Sequence, residues 1–291
     1  MKLKKLSVLL LSAAVLTAAA EVKSYFIEMR PGNEQDKKAY LAQPFRIWSG
    51  NDYKAAKGKY NGLLVLANSK VSFVFSFEGK VKDGSARNVT VGMRKPSPLN
   101  WYSGGFFAVN SGKNKLSDGK FTMKEVKGGA EYGYAEMEFS DAPLTGKVRF
   151  ELANDDDKLL MTFTPGNENG YTLWLYAYPG SYGTPQLRSR KIITNLGEVK
   201  GNMKRLTPGE YWAVFGDSYY DRANSRGDGC CALLFNPKDF SSFGIVRSGY
   251  ACTASFYNKK KTPVSLVLWD FKGWSMKQAV DYMKKLDVKF E

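Results

Sequence analysis

Two-residue alternation of apolar side chains is the feature that most narrows what this chain can fold into. Val71, Phe73, Phe75 and Phe77 alternate with Ser72, Val74 and Ser76. Successive strand side chains point to opposite faces, so one face of this segment is almost wholly aromatic. Val148, Phe150 and Leu152 alternate with Arg149 and Glu151, and Asn154-Asp155-Asp156-Asp157 then turns the chain into Leu159, Met161 and Phe163. This predicts a hairpin with a polar tip. Tyr171 to Tyr178 (YTLWLYAY) is apolar or aromatic on both faces, the pattern of a strand at the centre of a packed sheet, and Pro179-Gly180 ends it. Val264 to Trp269 reads the same way, entered through Pro263 and left through Asp270. Glycines and turn dipeptides recur about every ten residues, the rhythm of successive short strands.

Helix signals are few. Ser275 with Gln278 three residues on is a capping-box arrangement. Met276, Ala279, Val280, Met283 and Leu286 then share one helical face, and Lys284 and Lys285 complement the dipole in the last turn. A helix is expected over 276–286, and a shorter one over 34–42 before Pro44. Strands do not alternate with helices, so a parallel α/β sheet is excluded. The expected fold is all-β: a large two-sheet antiparallel β-sandwich, jelly-roll or supersandwich-like, with a short C-terminal α-helix. Residues 21–291 read as a single domain. In fold pattern alone the chain resembles the galactose-mutarotase-like supersandwich and jelly-roll lectin classes, and fold does not assign function.

The first twenty residues follow a different logic. Lys2, Lys4 and Lys5 precede an apolar stretch from Leu6 to Leu16, and Ala18-Ala19-Ala20 places small residues before Glu21. That is the order of a cleaved secretory signal, and the stretch is short of the roughly 20 residues of a membrane span. The reading is an exported protein, periplasmic or extracellular, cleaved near Ala20 and without a transmembrane segment. The chain carries 43 basic residues against 28 acidic ones, and the leader accounts for only three of the lysines. A lysine-rich surface favours solubility, and it also suits an anionic polysaccharide better than nucleic acid, for which no motif is present.

The chain has no histidine. That removes Ser-His-Asp and Cys-His nucleophiles, HExxH zinc proteases and His-ligated metals, together with the histidine chemistry of mutarotases. No cofactor and no metal are expected. Asp155-Asp156-Asp157 lacks the spacing and distal Glu of a calcium loop, and Lys259-Lys260-Lys261 reads as a solvated turn.

Three cysteines remain. If Cys230–Phe235 and Gly249–Tyr257 are paired strands with Phe235 facing Gly249, Cys231 and Cys252 are cross-strand neighbours within one residue of register. Such neighbours can reach the roughly 5.5 Å Cα separation of a disulfide. A Cys231–Cys252 bridge is the expected pairing, and three free buried thiols the alternative.

Candidate binding residues cluster in three places. Gly216 to Gly229 (GDSYYDRANSRGDG) is a long polar, glycine-bounded segment bringing Tyr219 and Tyr220 beside Asp217, Asp221, Arg222, Arg226 and Asp228. Aromatic rings stack on sugar faces, while Asp and Arg supply directional hydrogen bonds, although an ordinary surface loop has the same composition. Tyr176 and Tyr178 lie just before Arg188 and Arg190, two guanidinium groups two residues apart that could grip a carboxylate or sulfate. Trp101 and Tyr102 occupy the loop Pro96–Gly105 (PSPLNWYSGG), as a sugar platform or folded back onto the core. The function read from these features is non-catalytic binding of a poly- or oligosaccharide, possible anionic ones included. The alternative is a polysaccharide lyase or glycoside hydrolase using Tyr, Arg, Lys or carboxylates.

Overall fold

The computed structural model describes residues 21–29, 33–42, 58–167, 170–180, 189–248 and 251–290. The proposed leader, Arg188 and the end of the predicted pairing partner at Gly249 lie outside them. In chain order the strands are β1 (Lys23–Met29), β2 (Lys59–Ala67), β3 (Ser72–Lys82), β4 (Ser85–Lys95), β5 (Phe107–Ser111), β6 (Asn114–Lys115), β7 (Lys120–Lys127), β8 (Tyr132–Ser140), β9 (Gly146–Ala153) and β10 (Lys158–Pro165). There follow β11 (Tyr171–Ala177), β12 (Arg190–Thr194), β13 (Gly197–Glu198), β14 (Met203–Arg205), β15 (Trp212–Asp217), β16 (Gly229–Phe235), β17 (Ser242–Arg247), β18 (Cys252–Asn258) and β19 (Val264–Lys272). The helices are α1 (Glu34–Leu41) and α2 (Met276–Met283).

The architecture is an all-β sandwich. One sheet has thirteen strands in the order β1-β2-β3-β4-β7-β8-β9-β10-β19-β16-β15-β12-β13, and the other six in the order β14-β17-β18-β11-β5-β6. The neighbouring pairs in both are antiparallel, and the hairpin predicted over 148–163 is β9–β10, with Met161 opposite Phe150. The aromatic face of β3 points inward: Phe73, Phe75 and Phe77 are fully buried, each such side chain contributing about 2–3 kcal/mol of burial free energy. Phe75 stacks on Phe150, with ring centroids 4.7 Å apart. The main core, between the sheets, draws on β3, β9, β10 and β19 from the large sheet and β11 and β18 from the small one.

Both helices cover the outside of the large sheet. Asn33 caps α1 by accepting the Gln35 and Asp36 backbone N–H groups, and Tyr40 packs with Leu63, Val65 and Val74. At α2 the predicted capping box is formed, with Ser275 accepting from the Gln278 N–H and the Gln278 side chain accepting from the Ser275 N–H. Met276, Ala279, Val280 and Met283 lie on Trp212, Val214, Ala232, Trp269 and Phe271. Strands such as β15, covered on one side by the opposing sheet and on the other by a helix, are therefore apolar on both faces. Regular helix stops at Met283, short of the expected 286, although Leu286 still packs on the same cluster.

Two expectations need correction. Strand β19 does not leave the sheet at Asp270 but runs on to Lys272. The cysteine register is also wrong, because β16 and β18 belong to different sheets. The segment after Phe235 is no hairpin connection: it passes through a 3-10 turn at Pro237–Asp239 and crosses to the small sheet as β17, which pairs with β18 itself. Cys231 sits opposite Phe215 and Asp270, Cys252 opposite Ala177 and Arg247. All three cysteines are free and buried. Among the described residues no helix is long and apolar enough to cross a membrane.

Candidate functional site

The three predicted regions do meet, at one end of the sandwich. The Asp228 N–H donates to the Gly180 carbonyl at 3.3 Å, the Gly273 N–H to the Asp228 carbonyl at 2.8 Å, and the Tyr178 N–H to the Leu99 carbonyl at 3.0 Å. Gly227 (φ +65°) makes this convergence possible, since a Cβ there would lie 2.3 Å from the Tyr220 carbonyl and 2.5 Å from that of Gly180. The rings of Tyr102 and Tyr178 lie 4.6 Å apart.

What the residues do there is mostly structural. Trp101 is fully buried and donates its indole N–H to the Trp269 carbonyl at 3.0 Å; it is a core residue, not a sugar platform. Arg190 is equally buried and donates to the Pro179 carbonyl at 3.0 Å, and Tyr178 is buried beside it. Neither offers a surface to a ligand, and Arg188 lies outside the described residues. Asp217 accepts the Tyr219 and Tyr220 N–H groups at 2.9 and 3.1 Å. Asp221 accepts the Ala223 N–H at 2.8 Å and the Met276 N–H, at the start of α2, at 3.1 Å, where a carboxylate complements the helix dipole. Only the outer part of the loop faces solvent: Tyr219, 47% exposed, with Arg226 4.6 Å from its ring centroid, and Arg222, which donates to the Gly227 carbonyl at 3.4 Å.

Beneath this loop end lies a carboxyl pair that sequence reading missed. Ser97, fully buried, donates its N–H to Asp270 at 3.0 Å and its hydroxyl to Asp228 at 2.7 Å. The Asn100 amide adds a 2.6 Å bond to Asp270. Burial, reinforced by the charge of Asp228, outweighs these donors and pushes Asp270 up to about 7. The signal existed, an Asp ending an apolar strand, but it reads as a turn until β19 is known to continue.

The other missed surface is the outer face of the six-stranded sheet. In β11, Tyr171, Leu173, Leu175 and Ala177 point into the core, leaving Thr172, Trp174 and Tyr176 on the far side, half-buried. Register places Trp174 between Ala108 of β5 and Ser255 of β18, and Ser255 opposite Gly244 of β17. Thr172 lies between Asn110 and Tyr257, and Tyr257 opposite Ser242. Small side chains thus flank the indole, and Thr172, Ser242, Ser255 and Tyr257 place hydroxyls on the same face of the sheet. A shallow groove of about 380 Å³ runs over these residues toward Met203 and Arg205 of β14. Met203 is 75% exposed, an unusual position for so apolar a side chain. Burial raises the Tyr176 phenol, which keeps it a neutral hydrogen-bonding group. The sequence carried this signal as well, in the alternation of YTLWLYAY, but two aromatic faces look alike until the one turned to the core is known.

A second, larger cleft of about 870 Å³ opens between β1 and β7, with Phe26, Tyr60, Phe121 and Met123 among its walls. Its apolar walls are the margin of the main core, onto which Phe26 and Met123 pack. Among the described residues no group of three or more Cys, Asp or Glu side chains is arranged to hold a metal ion.

No family model and no curated protein matches this sequence. Among solved structures it is similar to the heparan sulfate lyase HepC from Pedobacter heparinus, at 10% identity and a TM-score of 0.41, over 76% of this chain and 36% of that one. It is similar to the α-N-acetylgalactosaminidase NagBb from Bifidobacterium bifidum at 10% identity and a TM-score of 0.44, over 79% and 38% of the two chains. A protein from Klebsiella pneumoniae assigned as an aldose 1-epimerase gives 9% identity and a TM-score of 0.44 over 92% and 97%. The chain spans little more than a third of the lyase and the galactosaminidase. These likenesses concern chain path and give no residue a role.

Proposed function

We propose that this protein is exported and binds carbohydrate without cleaving it, on the outer face of its six-stranded sheet. The observation that carries the reading is Trp174, placed mid-sheet between Ala108 and Ser255 and bordered by Thr172 and Tyr257. A pyranose ring needs a flat apolar surface for its C–H face and donors and acceptors at its rim. An indole among small and hydroxylated neighbours offers both. Tyr219 with Arg226 and Arg222 is a second, smaller contact point at the loop end.

Binding is favoured over cleavage by Ser97. A glycosidase needs two carboxyl groups roughly 5–10 Å apart with the scissile bond between them. Here a buried serine occupies the space between Asp228 and Asp270 and bonds to both. The decisive experiment is titration of neutral oligosaccharides from a glycan array into the secreted protein and its Trp174→Ala and Trp174→Phe variants. Loss of binding with alanine and partial retention with phenylalanine is expected. Binding unchanged in the alanine variant, or release of reducing ends from any glycan, overturns the reading. Export is tested by N-terminal sequencing of protein recovered outside the cytoplasm, which should begin at Glu21.

A further inference from the structure

Charge is distributed unequally between the two sheets. The large sheet carries acids on many strands, among them Glu28, Glu78, Glu125, Glu136, Glu138, Glu151 and Glu198. The six strands of the small sheet contain no Asp or Glu at all, and their ionisable cations are Lys115, Lys204, Arg205 and Arg247. Two of these are committed elsewhere. Lys204 pairs at 2.5 Å with the fully buried Glu210, and Arg247 donates to the Arg190 carbonyl at 2.9 Å.

Arg205 and Lys115 are different. Register puts Arg205 opposite Gly244, in the same cross-strand row as Ser255 and Trp174. Lys115 lies opposite Asn110, in the adjacent row with Thr172 and Tyr257. Both are exposed, and neither has an ion-pair partner among the described residues. The two cations therefore stand on opposite edges of the face that holds Trp174, their strands about 14 Å from β11 on the Arg205 side and about 10 Å on the other, at roughly 4.8 Å per strand. No carboxylate on the strands of this sheet neutralises them.

Resting on the carbohydrate reading, we propose that the glycan held on this face is acidic, with carboxylate or sulfate groups paired to Arg205 and Lys115 on either side of the indole. Arg205 supplies a planar two-pronged donor and Lys115 a point charge. A neutral sugar uses the indole and hydroxyls alone.

The test titrates hexagalacturonate, its fully methyl-esterified counterpart and a heparin hexasaccharide into wild type and into Arg205→Gln, Lys115→Gln and Trp174→Ala. Each run is made at low and at physiological salt. Tighter binding of at least one acidic probe than of the ester is expected, with about tenfold loss in each charge variant and weakening by salt. The ester should be unaffected by the charge variants. Preference for hexagalacturonate assigns carboxylate recognition, and preference for the heparin fragment assigns sulfate. If acidic probes and ester bind alike and both charge variants behave as wild type, the acidic assignment is overturned while the sugar platform stands. If acidic probes bind but Trp174→Ala binds them as well as wild type, the platform reading fails instead. Binding of none of the three probes overturns the acidic assignment, leaving the neutral glycans to decide the platform.

Discussion

Replacing Asp270 with asparagine should stabilise the protein at neutral pH, contrary to the usual cost of altering a buried polar residue. Asp270 is pushed from its ordinary 3.8 to about 7, first by burial and then by the charge of Asp228. A carboxyl whose pKa is higher folded than unfolded holds its proton more tightly when folded. Its contribution is therefore complete below pH 3.8 and is lost as pH rises to about 7. At about 1.4 kcal/mol for each pH unit the ceiling on this loss is about 4 kcal/mol. Partial exposure of the residue brings the expected effect to about 2–3 kcal/mol. Asparagine has no charge to bury, and its hydrogen bonds can be kept. The Asn100 Oδ1 atom is buried without a partner. Asparagine at 270 can accept from the Ser97 N–H and donate to that oxygen once the Asn100 amide rotates. Urea unfolding at pH 4, 5.5, 7 and 8 reads this directly. The wild-type midpoint should fall relative to the variant between pH 4 and 7 and run parallel above. Parallel curves over the whole range would mean that Asp270 titrates as an ordinary carboxyl and would refute the reasoning.

Glu210 should show the opposite slope. Its burial alone would raise it, but Lys204, the Thr207 N–H and the Thr194 hydroxyl together outweigh burial and hold it below its ordinary 4.5. Its contribution is present above that value and lost on acidification, and Glu210→Gln should remove about 1–3 kcal/mol at pH 7 by denaturant titration and flatten the acid limb. Thiol titration should find three reactive groups in the denatured protein and none in the native one, burial having pushed Cys252 up to about 12 and Cys230 and Cys231 up as well; a single thiol after denaturation would restore a disulfide. Gly92→Ala should cost roughly 3 kcal/mol or more in thermal or urea unfolding, because the new Cβ would lie 1.7 Å from the Ser103 carbonyl oxygen. Asp221→Ala should cost about 1 kcal/mol through α2, with the Tyr219 surface unchanged; a loss of glycan binding without loss of stability would make Asp221 a ligand contact.

The parts of the fold visible in the sequence are those where one local rule decides. Phe73, Phe75 and Phe77 can only be an inward face, and Ser275 with Gln278 can only start a helix. The cysteine pairing failed because register depends on which strands are neighbours. Nothing between Phe235 and Cys252 announces that the chain changes sheets, yet Pro237–Asp239 takes it across. Trp101 failed for a related reason. A tryptophan in a proline- and glycine-rich loop is compatible with exposure or with a lid on the core, and only the Trp269 carbonyl beneath it decides.

The same logic separates loop 216–229 from the outer face of the six-stranded sheet. The Asp, Arg and Tyr side chains of loop 216–229 are groups that bind sugars, but they are also the groups that close a sandwich end. Asp217 and Asp221 spend their oxygens on backbone N–H groups, and Arg190 is sealed against the Pro179 carbonyl. A side chain already saturated by its own protein has little left for a ligand. The residues of β11, β17 and β18 that look inert in sequence, such as Ser255 and Gly244, matter for the converse reason. Their small size keeps bulky side chains out of the row on the β18 side of Trp174, and the strands of that sheet carry no acid to pair with Arg205 and Lys115. Availability, more than residue type, selects the surface on which a ligand can be held.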